Sequence, residues 1–137
     1  MTPAIPLLTR LGAASCLAIS GVIHAQLYLH GYRMLPGVGP AFLLQASGAL
    51  AVALLLALNT TAVLRLTAAG LAAGALVGFI ASRTIGVFGF LEYGLEPEPQ
   101  ALISIVVEAT ALVLLATPLR HPRHGQHSSP RISLWQA

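Results

Sequence analysis

Four side chains in this sequence combine polar chemistry with strongly apolar surroundings: His24, Gln45, Arg83 and Glu108. Glu108 falls in the middle of Ala101-Leu-Ile-Ser-Ile-Val-Val-Glu-Ala-Thr-Ala-Leu-Val-Leu-Leu-Ala116, an apolar run long enough to cross a bilayer. A charged group at that depth costs roughly 2.5–3.5 kcal/mol on insertion scales, so it faces the interior of a helix bundle and takes a partner. A carboxyl and an imidazole can hold or pass a proton or bind a small molecule, whereas a carboxamide ties one helix to the next. Counting inward at about 1.5 Å per residue, His24 and Gln45 lie on the order of 7 Å from the outer helix ends and Glu108 roughly 12 Å, with Arg83 near the rim. The four therefore form a candidate intramembrane polar site. Ser20, His24 and Tyr28 are spaced by four and share a helix face, as do Ser104 and Glu108.

Each of these residues also has a structural reading. Glu108 can be a protonated or Arg-paired carboxyl that only fixes helix register, His24 a hydrogen-bonded core imidazole, and Gln45 an interhelical hydrogen-bond donor. One His and one Glu fall short of the three protein ligands that zinc takes, so no metal site is predicted. His30 is six residues from His24 on another helical face, and no other helix supplies a His to complete a haem. Cys16 stands alone, which excludes an intramolecular disulfide or a CxxC redox pair. No catalytic set is visible and no cofactor is predicted, a quinone being the one that the polar site leaves open.

The elements that must position these residues are membrane helices. Only 8% of residues are charged, against about 25% in soluble domains. Four apolar segments near 10–29, 40–58, 62–82 and 100–118 approach the roughly 20 residues that a spanning helix needs. The fold class expected is all-α: a polytopic membrane protein built as an antiparallel four-helix transmembrane bundle over 10–118. Leu35-Pro-Gly-Val-Gly-Pro40 breaks the chain between the first two segments. Asn59-Thr-Thr61 closes the second helix and caps the third in a tight hairpin. A secretory signal cut after Ala25 is the competing reading of the first segment; Ile23 suits the third position before such a cut poorly.

Arg10, Arg65, Arg120, Arg123 and Arg131 fall on one side of a four-helix topology, and Arg33 and Arg83 on the other. Positive charge collects on the cytoplasmic side, so both termini are expected there: a short N-terminus over 1–9 and a disordered basic tail over 119–137. The tail histidines His121, His124 and His127 sit among Pro and Gly and are not held on a helical face. Basic charge of this kind is drawn to anionic lipid, and no nucleic-acid partner is expected. Gly70, Gly74 and Gly78 form a small-residue ridge on the third helix, read first as internal bundle packing and second as a dimer interface. The 84–99 connection is apolar, and Phe88, Phe90, Leu91 and Tyr93 suit either an interfacial anchor or a lid over the bundle mouth.

The order of these features is familiar. An Arg opening the first helix, the exit His24-Ala-Gln-Leu-Tyr-Leu-His-Gly-Tyr-Arg33, a Pro-Gly turn and then Phe42-Leu-Leu-Gln-Ala-Ser-Gly-Ala-Leu50 resembles the small four-helix DoxX-like membrane proteins, and actinobacterial members most closely. Ser82-Arg83, Gly86-Val-Phe-Gly-Phe90 and Val107-Glu108 continue the resemblance, which covers about residues 8–118. It implies a bacterial plasma-membrane protein associated with quinone-linked or thiol-redox complexes. Gln45 stands where such proteins often carry a Glu, and Cys16 cannot supply dithiol chemistry by itself. Two functions follow: a noncatalytic accessory or assembly subunit of a larger membrane complex or homo-oligomer, and a redox-associated or small-molecule and proton-binding protein with its site in the outer half of the bundle.

Overall fold

A computed structural model describes residues 7–117, and the basic tail with its three histidines lies outside the described residues. The chain is all-helical: α1 Leu7–Leu29, α2 Val38–Leu58, α3 Ala62–Thr84 and α4 Gln100–Leu115, with a single 3-10 turn at Tyr32–Met34 between α1 and α2. No strand is present among the described residues; Val87 and Phe90 make an isolated bridge in the α3–α4 connection.

The helix boundaries follow the local chemistry of the sequence. Gly37 precedes α2 at φ 78°, a conformation that L side chains rarely adopt, and the Phe88 ring lies over it so closely that a Cβ there would sit 2.4 Å from Cγ. Pro40 falls in the first turn of α2, where its missing N–H costs nothing. The Thr61 hydroxyl accepts the Leu64 amide at 3.2 Å and caps α3, as its position before an apolar run implies. α4 follows Pro99 and stops at Leu115, three residues short of the expected end. Pro118 disfavours helical geometry in the residue before it. The Arg65 guanidinium closes this end from α3, donating to the carbonyls of Leu115 and of Thr117, the latter at 2.6 Å. Positive charge there also complements the negative end of the α4 dipole.

Three helices, α1, α2 and α3, are long and apolar enough to cross a membrane, whereas α4 is apolar but shorter. Their outward faces support the same reading: Leu8, Leu44, Leu54, Leu66 and Val113 are all exposed. A soluble monomer rarely carries so much contiguous apolar surface. The interior combines alanines with larger aliphatic residues. Ala13, Ala14, Leu17, Val52, Ala53, Leu56, Ala68 and Leu115 form one buried cluster near the α2–α3 turn. α1 and α2 approach closely at Gly21, where a Cβ would lie 2.8 Å from Leu50 Cγ and 3.1 Å from the Ala46 carbonyl.

The glycine ridge on α3 does not pack inside the chain. A Cβ built at Gly70, Gly74 or Gly78 would meet nothing within 4 Å, so the expectation that Gly74 lies at a helix contact is corrected. α3 is packed by Ala68 and Ala72, both fully buried. Ala68 and Gly70 are two residues apart, about 200° around the helix, so the glycines lie off the face that the alanines bury, with Gly74 and Gly78 bordering a cavity. Spacing by four defines a smooth face but not the direction in which it points.

Candidate functional site

His24, Gln45, Arg83 and Glu108 all border one cavity of about 220 Å³ at the end of the molecule that carries the α1–α2 and α3–α4 connections. Four helices contribute one residue each. Their roles differ from a simple cluster, and Glu108 is the innermost: its side chain is 2% exposed.

Glu108 makes its direct contacts with serines. Ser20 from α1 donates to Oε1 at 2.8 Å, and Ser104, one turn earlier on α4, donates to the same oxygen at 2.7 Å. Both serines are themselves buried. The carboxyl thus joins α1 to α4 through neutral donors and makes no ion pair among the described residues. His24 reaches the same group indirectly: its Nδ1 lies 2.9 Å from the Ser20 carbonyl and 3.4 Å from the Ser20 hydroxyl. A carbonyl only accepts, so Nδ1 carries the hydrogen and a neutral ring keeps its lone pair on Nε2. Glu108 thus bonds Ser20 and Ser104 and lines the cavity with His24 and Gln45, whereas Arg83, in the same wall, makes its bonds elsewhere.

Arg83 is committed to the α3–α4 connection. It pairs with Glu92 at 3.3 Å, donates through Nε to the Gly94 carbonyl at 2.8 Å and through Nη2 to the Glu96 carbonyl, and bonds Ser82 Oγ at 2.7 Å. Its guanidinium also lies 3.7 Å from the centre of the Phe79 ring. These bonds, with the Glu92 amide donating to the Ser82 carbonyl at 2.9 Å, hold the connection against the end of α3. Val87, Phe90, Glu92 and Pro97 thereby become part of the cavity wall, while Phe88 and Tyr93 remain largely exposed. One segment supplies both an inward face and an outward aromatic face.

Gln45 donates to the Leu71 carbonyl at 3.1 Å, the interhelical bond expected of it, and its side-chain oxygen remains without a donor among the described residues. An aromatic stack completes the wall. Phe42 lies 5.3 Å from His24 and 4.7 Å from Tyr32, nearly parallel to the latter, and Phe90 meets Tyr32 edge-on at 5.9 Å. Tyr32 donates its hydroxyl to Glu92. Burial first, and then that hydrogen bond and the carboxylate charge, push the Tyr32 phenol well above its ordinary value of 10.0.

Tyr32, Phe42, Phe79 and Glu92 are cavity residues that sequence reasoning passed over, whereas Phe90 belongs to the connection read as an anchor or lid. The signal was present for two of them: Glu92 is a loop acid nine residues beyond Arg83, and Phe42 lies three before Gln45 on the same helical face. Among the described residues no group of three or more His, Cys, Asp or Glu is placed to hold a metal ion. Compared with known proteins, the chain matches no family model, no curated protein and no solved structure.

Proposed function

We propose that this chain is a polytopic protein of a bacterial plasma membrane, an antiparallel four-helix bundle with both termini cytoplasmic, whose outer half binds a small lipophilic molecule. The observation that carries this reading is one cavity bordered by a polar residue from each helix, His24, Gln45, Arg83 and Glu108. Its size suits one substituted ring, since an apolar cavity of roughly 150 Å³ takes benzene. Its wall combines aromatic surface with a few convergent polar groups, the ordinary constitution of a small-molecule site. The resemblance to DoxX-like proteins supports the four-helix topology and leaves a redox association, with a quinone ring as one candidate ligand.

The test is purification in mild detergent followed by mass spectrometry of bound small molecules. Gly74 borders the cavity and has room for a side chain, so Gly74→Leu fills the site without displacing a helix. A molecule that copurifies with the native chain and is depleted in Gly74→Leu is the expected result. Equal recovery from both would refute the assignment to this cavity.

A second reading, a noncatalytic accessory subunit of a larger complex or homo-oligomer, is favoured by the open face at Gly70, Gly74 and Gly78. A second transmembrane helix gains close van der Waals contact on such a face. Stoichiometric copurification of another membrane protein, lost in Gly70→Leu, supports it.

A further inference from the structure

The hydrogen-bonding groups around the cavity are unevenly engaged. The side-chain donor atoms of the polar residues that line it each have a protein acceptor. Ser104 donates to Glu108, Tyr32 to Glu92, Ser82 to the Phe79 carbonyl, Gln45 to the Leu71 carbonyl and His24 Nδ1 to the Ser20 carbonyl. All three nitrogens of Arg83 are likewise engaged. The acceptors are a different matter. Both serines converge on Oε1 of Glu108, so Oε2 receives no hydrogen bond from any described residue. His24 Nε2 and Gln45 Oε1 receive none either.

Charge is uneven in the same sense. Arg83 neutralises Glu92, whereas Glu108, nearly fully buried, makes no ion pair among the described residues. A carboxylate among apolar helices normally pairs with a positive group. The remaining wall is apolar and includes Tyr32, Phe42, Phe79 and Phe90, and the faces of Phe and Tyr rings attract cations.

We infer that the ligand of this cavity is a small lipophilic amine bound as its ammonium ion, donating to Glu108 Oε2 with its apolar body along Phe42 and Phe90. An ammonium has three N–H donors, and the cavity wall offers three acceptors that no described residue has filled. The inference rests on the ligand-binding reading above and narrows it to one chemical class. A quinone, whose oxygens only accept, meets none of these groups when Glu108 is ionised.

The probes are benzylamine, benzyl alcohol and benzoate, which share one ring and differ in charge, titrated into the full chain in lipid nanodiscs at neutral pH with protein-free nanodiscs as the blank. Benzylamine is expected to bind at least tenfold more tightly than benzyl alcohol, and benzoate most weakly. Glu108→Gln keeps the shape of the side chain and is expected to abolish the tenfold preference while benzyl alcohol still binds. Should that variant fail to fold, the ratio measured on the native chain decides alone. Benzyl alcohol binding as tightly as benzylamine, or a preference unchanged in Glu108→Gln, overturns the amine assignment and leaves the cavity as a ligand site. No binding of any probe overturns it too; the copurification experiment then tells whether the cavity takes another ligand or none.

Discussion

Glycine-to-alanine substitutions at one position on α1 and one on α3 should have opposite consequences, and their difference isolates the energy of one helix contact. Both replacements gain the same intrinsic helix propensity, about 1 kcal/mol in favour of alanine. At Gly70 the new methyl meets nothing within 4 Å, so Gly70→Ala keeps that gain. At Gly21 the methyl would fall 2.8 Å from Leu50 Cγ and 3.1 Å from the Ala46 carbonyl oxygen. The first is a branch carbon held by its own helix and the second is backbone, so α1 and α2 must separate to admit it. Overpacking of this kind costs about 1–3 kcal/mol. Because propensity cancels in the comparison, Gly21→Ala should lie below Gly70→Ala by about 1–3 kcal/mol. With each kcal/mol worth on the order of 4 °C for a chain of this length, the two midpoints should differ by about 4–12 °C. Thermal unfolding of both variants in one detergent, followed by circular dichroism, measures the gap. Equal midpoints would refute the close approach of α1 and α2 at Gly21, and a Gly70→Ala less stable than the native chain would refute the openness of the α3 ridge.

Arg65→Gln should weaken the end of α4 by about 1–3 kcal/mol, the usual worth of hydrogen bonds to a charged donor, and Arg65→Lys should recover only part of it. Hydrogen exchange at residues 112–117 checks this, and unchanged exchange counts against the cap. Tyr32 holds its proton in the folded chain beyond its ordinary value of 10.0. Above that pH the unfolded chain binds fewer protons than the folded one, so stability should fall as pH rises from about 10 and level off past the folded value. Tyr32→Phe should remove that slope in denaturation measured from pH 9 upward; an identical slope would remove Tyr32 as its source. Reporter fusions placed after Asn59 and after Ala137 should both read cytoplasmic, and an external signal from either overturns the proposed topology.

Much of the fold was legible because the signals were local. Thr61 announced a cap, Pro40 a first turn, and the Asn59-Thr-Thr61 run a hairpin, each through chemistry confined to a few residues. Glu108 was legible for a different reason: the cost of an apolar-facing carboxyl leaves one direction open to it, and Ser104 four residues earlier marked the stripe that faces inward. The partner of Arg83 was not legible because depth along a helix axis says nothing of which neighbour a long side chain reaches. The nearer carboxylate belonged to a connection whose path depends on Glu92 and on the Gly94 and Glu96 carbonyls. The α3 ridge failed likewise, since alanine and glycine stripes both read as small and only packing decides which is buried.

The shortness of α4 bears on the membrane around the protein. Sixteen residues rise about 24 Å, against roughly 30 Å of hydrocarbon, whereas the 23 residues of α1 and of α3 rise about 34 Å. On the proposed topology the bundle is therefore thinner on one flank than on the others. Lipids beside α4 must compress or tilt to cover it, at a fraction of a kcal/mol per Å of mismatch. Bilayer thickness then becomes a variable that acts on this flank alone, and α4 is the helix that carries Glu108. Reconstitution into lipids of graded chain length should move the stability optimum towards thinner bilayers than α1 to α3 would select by themselves.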